Sequence, residues 1–149
     1  MKNIILLVLI GLASLAYDPS KAVEYARKYC QNYNKNYENY ASVGGDCANF
    51  VSQCMIAGGM SFKSCSVSWI DDHGCLPRVK DLKSCLSQKG WKHSTTKPSN
   101  FKAGYPIFLI SGSHAMLATG NYGSGVYFCG HTNDRCDSTI TSDIEYYYP

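Results

Sequence analysis

The stretch VGGDCANFVSQCMIAGG, residues 43–59, decides how the first half of the chain folds. Its apolar side chains recur at the spacing of a helix with one buried face: Phe50, Val51, Cys54 and Met55. Asp46 is a favourable N-cap and the glycine pair 58–59 ends the pattern, so the spacing predicts a helix over residues 46–57. Cys47 then lies in the first turn of that helix.

Cys47 has the surroundings of a chemically reactive thiol. The N-terminus of a helix stabilises negative charge and lowers the pKa of a cysteine placed there. Gly44 and Gly45 leave the backbone open to an approaching ligand. The unpaired N–H groups of the first turn, around Asp46 and Cys47, are candidate donors to an oxyanion. A buried structural cysteine can also begin a helix, so a thiol without a chemical role is the alternative.

The chain contains eight cysteines, and an even count in an exported protein favours complete pairing. Cys47 and Cys54 cannot bond to each other, because seven helical residues separate them by about 10 Å, beyond the roughly 7 Å limit for bridged Cα atoms. If Cys47 is kept for chemistry, another thiol must also be free, and we expect it to be Cys54. The remaining six are predicted to form three bridges whose pairing stays open: Cys30, Cys65, Cys75, Cys85, Cys129 and Cys136.

The first 16 residues have the pattern of a secretory signal peptide. Lys2 precedes an apolar run from Ile4 to Ala13, and Ser14-Leu15-Ala16 resembles a cleavage site. The run is too short for a membrane-spanning helix, which needs about 20 apolar residues; a tethered or buried N-terminal helix is the alternative. We expect one domain over residues 17–149, with no stable membrane anchor after cleavage, secreted or held in an endomembrane or lysosomal compartment.

The rest of the chain predicts an α+β fold in which N-terminal helices pack on a small antiparallel sheet. Further helices are predicted over residues 18–30 and 78–89, and strands over 105–110, 114–120, 125–131 and 138–148. The net charge of +3 includes no run of Lys or Arg, so we expect no nucleic-acid partner. We also expect a monomer.

A nucleophilic thiol needs a base that a third group orients. Of the four histidines, His114 is the best candidate, because it stands at the start of an apolar strand. A hairpin turn around Gly123 would place His114 opposite residues 131–133. His131 and Asn133 share one face of that second strand, so either could hydrogen-bond the outer ring nitrogen of His114.

Three segments together resemble a known family: GGDCANFVSQCMIAGG, KAGYPIFLISGSHAMLATG and GHTNDR. The chain is similar to the "putative amidase domain" family of the papain-like cysteine peptidase clan, which is related to NlpC-type cell-wall peptidases and CHAP amidases. The resemblance implies a papain-like fold, with Cys47 as nucleophile and His114 as base. NlpC-type enzymes place a histidine in the third position, whereas CHAP domains place an acidic residue and then an asparagine two positions on. His131 and Asn133 are thus both candidates, with a slight preference for Asn133.

The resemblance implies amide hydrolysis through an acyl-enzyme, with a peptide or a peptidoglycan stem peptide, such as a γ-glutamyl amide, as substrate. It implies no cofactor and no metal. A zinc site of Cys129, His131 and Cys136 lacks a second ligand pair at structural spacing. Tyrosines between residues 33 and 40 are candidate walls of the cleft.

Two other functions are compatible with the sequence. One is a non-catalytic, disulfide-rich binding module in which all eight cysteines are paired and the tyrosines form a recognition surface. That module requires an oxidised Cys47 and a His114 that faces no thiol. The other is an acyltransferase that uses the same cysteine and histidine with a different acceptor.

Overall fold

The computed structural model of the chain describes residues 16–149, so the predicted signal peptide lies, except for Ala16, outside the described residues. The helices are α1 (Pro19–Tyr29), α2 (Cys47–Ala57) and α3 (Val79–Gln88). The strands are β1 (Lys92–Ser94), β2 (Pro106–Leu109), β3 (Ala115–Tyr122), β4 (Gly125–Gly130), β5 (Arg135–Ile140) and β6 (Ile144–Tyr148). The predicted α+β class, with helices before an antiparallel sheet, is confirmed.

Helix α1 begins where its sequence predicts. The Asp18 carboxylate accepts hydrogen bonds from the backbone N–H groups of Ser20 and Lys21, at 3.0 and 3.4 Å. Pro19 occupies the first helical position, where its missing N–H costs nothing. The buried face of α1 consists of Ala22, Val23 and Ala26, and these small side chains let α1 lie close to α2.

Helix α2 is the centre of the domain. Every residue from Cys47 to Met55 is buried, because α1 covers one side of the helix and strand β3 covers another. Most of its polar side-chain atoms find partners inside the protein: the Ser52 hydroxyl donates to the Ala48 carbonyl at 2.8 Å and accepts from the Leu76 N–H at 3.0 Å. The side-chain oxygen of Asn49 is a buried exception, with no hydrogen-bond partner among the described residues. The position of Cys47 is consequently set by a helix that is packed from all directions.

The six strands form one antiparallel sheet in the order β1-β6-β2-β3-β4-β5. Strands β5 and β6 are consecutive in the chain but have three strands between them in the sheet. In a flat sheet they would lie about 19 Å apart, whereas the chain from Ile140 to Ile144 can span at most about 14 Å. The sheet must therefore curl until its β5 side approaches β6.

The single strand predicted over residues 138–148 is wrong. The structure has two strands there, separated by a turn at residues 141–143 in which Asp143 has a φ of +61°. The spacing of Ile140 and Ile144 did not reveal the turn. Residues four apart in a continuous strand point to the same face, so the two isoleucines fit one strand as well as two. Strand β1 was also missed, since three residues are too few to make a pattern. His93 lies in β1, with its ring nitrogen 3.1 Å from the Glu145 carboxylate.

Two disulfides are present, Cys30–Cys136 and Cys65–Cys85, so the prediction of three bridges is wrong. All eight cysteines lie in the described residues, and Cys47, Cys54, Cys75 and Cys129 are buried free thiols. Cys47 and Cys54 are free as predicted. Cys75 and Cys129 are fully buried core residues, and a buried free cysteine packs as a small hydrophobic side chain. The even number of cysteines favoured complete pairing, so Cys75 and Cys129 were expected in bridges although both are free core thiols.

The two disulfides indicate an oxidising, extracellular-type compartment. Within residues 16–149, no helix is both long enough and apolar enough to cross a membrane.

The two disulfides should contribute unequally to stability. Cys30 and Cys136 are 106 residues apart in sequence, whereas Cys65 and Cys85 are 20 apart. The longer closed loop restricts the unfolded chain more, by about 1.5 kcal/mol in the chain-entropy estimate. We expect the Cys30→Ser/Cys136→Ser variant to lose more unfolding free energy in urea than Cys65→Ser/Cys85→Ser. An equal or larger loss in the second variant would contradict this.

Candidate functional site

Cys47 is the first residue of α2 and borders a cleft of about 300 Å³. The cleft is lined by Gly44, Gly45, Cys47, Pro77, Arg78, Val79, Lys80 and Ser113. Its walls therefore come from the loop before α2, the start of α3 and the segment before β3. Gly44 and Gly45 have φ values of +110° and +107°, a conformation that favours glycine, so they set the path of the backbone as well as leaving it open. Cys47 itself is only 9% exposed.

The Cys47 sulfur lies against the backbone on both sides of His114. The thiol donates to the Ser113 carbonyl, with 3.8 Å between Sγ and the oxygen. The N–H of Ala115 also points toward the sulfur. The structure thus brings the predicted nucleophile to the residues that flank the predicted base, although Cys47 and Ser113 are 66 residues apart in the sequence.

Asp46 occupies the N-cap position of α2, as predicted, but its side chain makes no capping hydrogen bond. Instead its Oδ1 accepts from the Tyr40 N–H and from the Asn49 side-chain amide, both at 2.9 Å. The first-turn N–H groups of α2 are therefore left without a side-chain acceptor from the N-cap. This is the condition that an oxyanion site at a helix N-terminus requires.

The second oxygen of Asp46 contacts His131, and both side chains are 1% exposed. Asp46 Oδ2 and His131 Nδ1 lie 2.6 Å apart, and the other ring nitrogen donates to the Tyr29 carbonyl at 2.7 Å. A carbonyl can only accept, so Nε2 carries a proton. The 2.6 Å contact also requires one proton between Asp46 Oδ2 and His131 Nδ1, and a carboxyl group is ordinarily the stronger acid, so Nδ1 carries that proton. The pair is an imidazolium–carboxylate ion pair.

The His131 ring is enclosed by two aromatic rings. Tyr33 stacks on one face and Phe50 on the other, each with ring centroids 3.9 Å from the histidine. A cation between two aromatic faces is stabilised by their quadrupoles, which partly offsets the cost of burying it. Of the tyrosines proposed as cleft walls, Tyr33 instead packs on His131, and no tyrosine lines the cleft at Cys47.

The third position beside His114 is not filled as the hairpin argument predicted. Strands β3 and β4 pair through Leu117 and Cys129, which does bring the residues after Gly130 toward His114. His131, however, is engaged by Asp46 and Tyr29. Asn133 is exposed in the turn after β4, with a φ of +78°. In the described part of the chain, no side chain hydrogen-bonds the His114 ring.

Residues 16–148 match the protein family described as "Putative amidase domain". The chain belongs to this family. The family description indicates amide hydrolysis as the general activity. The chain is also similar to a Bacillus subtilis (strain 168) protein named "Uncharacterized protein YhbB", with 44% identity over 84 residues, which covers 47% of this chain and 26% of that relative. The chain thus spans about a quarter of the relative's length. No solved structure matches this chain.

Burial controls the ionisation of both groups at the candidate site of this amidase-family domain. It raises the pKa of the Cys47 thiol above the ordinary 9.0, and the Asp46 charge adds to the rise. The N–H groups of Ala115, Ala48 and Cys47 itself act in the opposite direction. Burial also lowers the pKa of His114 below its ordinary 6.5. The net direction for Cys47 is opposite to that expected from a helix N-terminus alone, because desolvation is the larger effect.

Sequence reasoning missed two features of this site. Arg78 and Lys80, at the start of α3, form one wall of the cleft, but nothing in the sequence places them near Cys47. The ion pair of Asp46 with His131 was also missed, although both residues were singled out separately. One signal could have revealed the pair. Asp46 stands at the start of a predicted buried helix and His131 at the end of a predicted buried strand, and a buried polar side chain needs a hydrogen-bonding partner.

Breaking the Asp46–His131 pair should destabilise the domain strongly. We expect His131→Gln to lower the unfolding free energy by about 3–5 kcal/mol, because it leaves a buried carboxylate without its counter-charge. The measurement is urea unfolding of His131→Gln, Asp46→Asn and the double variant. Coupling between the two substitutions should exceed about 1 kcal/mol.

His93→Gln is the matched control, because the His93 side chain is 56% exposed and its partner Glu145 keeps a second cation, Lys83, at 3.2 Å. Loss of an exposed pair costs about 1 kcal/mol or less. If His131→Gln were no more destabilising than His93→Gln, the assignment of the buried ion pair as the main tie between α2 and the β4–β5 turn would fail.

Proposed function

We propose that this chain is a cysteine amidase of papain-like architecture, exported from the cell, in which Cys47 is the nucleophile and His114 the base. The observation that carries the proposal is the position of the Cys47 sulfur, in a cleft at an uncapped helix N-terminus and against the backbone on both sides of His114. A thiol, an imidazole and free N–H donors are the three parts that acyl transfer requires.

In the proposed reaction, the Cys47 sulfur attacks the carbonyl carbon of an amide while its proton passes to His114. First-turn N–H groups of α2 hold the negative oxygen of the tetrahedral intermediate. His114 then gives the proton to the leaving nitrogen, the C–N bond breaks, and a thioester remains on Cys47. Water, deprotonated by His114, hydrolyses the thioester and restores the thiol.

The role of the two other predicted residues is proposed to differ. His131 holds Asp46 away from the helix end and so acts as a positioning residue. Asn133, exposed in the turn after β4, remains the candidate for the third position beside His114. The substrate class follows from the resemblance to cell-wall peptidases: we propose a peptide amide of the kind found in peptidoglycan stem peptides, including γ-glutamyl linkages.

The competing binding module depends on eight paired cysteines. Four cysteines are free in the described structure, and Cys47 is one of them. No observation therefore favours the module over the amidase. An acyltransferase would share every step up to the thioester and differ only in the acceptor.

Replacement of the proposed nucleophile should abolish amide hydrolysis. We expect Cys47→Ala to reduce release of free amine from isolated peptidoglycan stem peptides to background, and His114→Ala to reduce it by about 10²–10⁴-fold. Cys54→Ala is the control, since Cys54 is a fully buried thiol on the same helix. Circular dichroism should show all three variants folded. Full activity in a folded Cys47→Ala would disprove the assignment.

The pH dependence of thiol reactivity should show a neutral resting pair. Because burial raises the pKa of Cys47 above 9.0 and lowers that of His114 below 6.5, the thiol and the imidazole are both uncharged between those values. We expect the rate of Cys47 alkylation by iodoacetamide to keep rising with pH beyond 9.0. The rate is measured from the mass of the peptide that contains Cys47. A plateau that is already reached at neutral pH would show instead a preformed thiolate–imidazolium pair.

A further inference from the structure

The cleft at Cys47 carries positive charge only. The charged residues that line it are Arg78 and Lys80, both cations with exposed side chains. Neither forms a salt bridge with an acidic side chain in the described part of the chain. The cations therefore stand beside the thiol without a protein counter-charge.

The acids adjacent in sequence to Cys47 and Lys80 are engaged elsewhere. Asp81, in the first turn of α3, is 2% exposed, and its two carboxylate oxygens accept from the backbone N–H groups of Ser68 and Trp69 at 3.0 and 3.2 Å. The Asp46 carboxylate, next to Cys47, is paired with His131. Both acids are thus buried, and neither forms an ion pair with Arg78 or Lys80 in the described part of the chain.

Arg78 is held in place by an aromatic ring. Its guanidinium lies over Trp69, 5.5 Å from the ring centroid. Trp69 is held in turn by two contacts. Its ring packs against that of Tyr40, with 5.3 Å between the ring centroids, and its backbone N–H donates to the Asp81 carboxylate. A stacked guanidinium keeps its donors free in the ring plane and loses less side-chain entropy on binding a planar anion than a freely rotating side chain does.

One helix end adds to the same potential. Helices α2 and α3 both begin at this cleft, and neither has a side-chain capping hydrogen bond. The first turn of α2 holds no acidic residue, so the partial positive charge of its N-terminus reinforces Arg78 and Lys80, whereas Asp81 in the first turn of α3 offsets that of α3. The positive charge of the cleft therefore lies beside the buried thiol of Cys47.

We propose that the cleft is a carboxylate subsite, in which Arg78 binds a free carboxylate of the amide substrate and Lys80 assists. This inference rests on the proposed function, since it assumes that the scissile amide is delivered to Cys47. The substrate class is an amide with a free α-carboxylate on a residue beside the scissile bond, as in a γ-glutamyl amide or at the C-terminus of a peptide. A guanidinium binds such a carboxylate through two parallel N–H donors.

The first experiment probes the charge of the cleft without requiring hydrolysis. Cys47 is alkylated with iodoacetate and with iodoacetamide, which differ mainly in that iodoacetate carries a carboxylate. The ratio of the two rate constants is measured at low and high salt. We expect Arg78→Gln to lower the ratio about threefold at low salt, as for one charge about 6 Å away in water. The difference should shrink at high salt.

Lys89→Gln is the matched control, because Lys89 is an exposed cation at the opposite end of α3, about 17 Å from Arg78 along the helix axis. It removes the same unit of charge from the same element. A ratio that falls equally in Lys89→Gln and Arg78→Gln, or in neither, would overturn the carboxylate subsite.

The second experiment separates this inference from the proposed function. The values of kcat/KM are compared for γ-glutamyl anilide and for its α-carboxamide derivative, in the native chain and in Arg78→Gln. We expect the native chain to prefer the carboxylate by about tenfold and the variant to lose most of that preference. If the native chain hydrolysed both substrates equally, the subsite would be disproved. Failure to cleave either one, with the alkylation ratio still dependent on Arg78, would count against the amidase and leave the subsite standing.

Discussion

The buried ion pair between Asp46 and His131 is the interaction on which the site depends. It joins the residue before α2 to the residue after β4, and the imidazolium also binds the carbonyl at the end of α1. One side chain thus ties two helices and the sheet together at the point where Cys47 begins its helix. Burying two charges is expensive, and this pair tolerates it because every polar atom of the ring has an acceptor and both ring faces have an aromatic neighbour.

The same pair determines the electrostatics next to the thiol. An unpaired carboxylate beside Cys47 would oppose thiolate formation more strongly, and a capping carboxylate would occupy the N–H groups of the first turn. Engaging Asp46 with His131 removes the second obstacle, while the Asp46 charge still adds to the rise in the pKa of Cys47. Desolvation still keeps the resting thiol protonated, so the proposed chemistry relies on His114 accepting the proton during attack rather than on a thiolate formed beforehand.

The cysteines divide into two classes with different physical roles. The Cys30–Cys136 bridge joins the end of α1 to β5, and the Cys65–Cys85 bridge joins a long irregular segment to α3. Each bridge adds to other contacts between the same parts: Arg27 pairs with Asp137 beside the first, and Gln88 hydrogen-bonds the backbone of Ser66 beside the second. The free thiols lie in the core, where they fill space as apolar side chains do. An oxidising compartment is compatible with both classes, because burial keeps solvent thiols and disulfides away from the free cysteines and so limits disulfide exchange.

The sequence by itself determined the features that depend on local spacing. The start of α1 at Asp18, the extent of α2, the α+β class and the exclusion of a Cys47–Cys54 bridge all follow from periodicity, capping and helix geometry. Tertiary structure alone decided the features that depend on distant contacts. It split the predicted last strand in two, left Cys75 and Cys129 unpaired, and turned His131 from His114 to Asp46. A strand pattern shows which residues share a face, but which neighbour a side chain on that face contacts depends on the curl of the whole sheet and on how α2 packs against it.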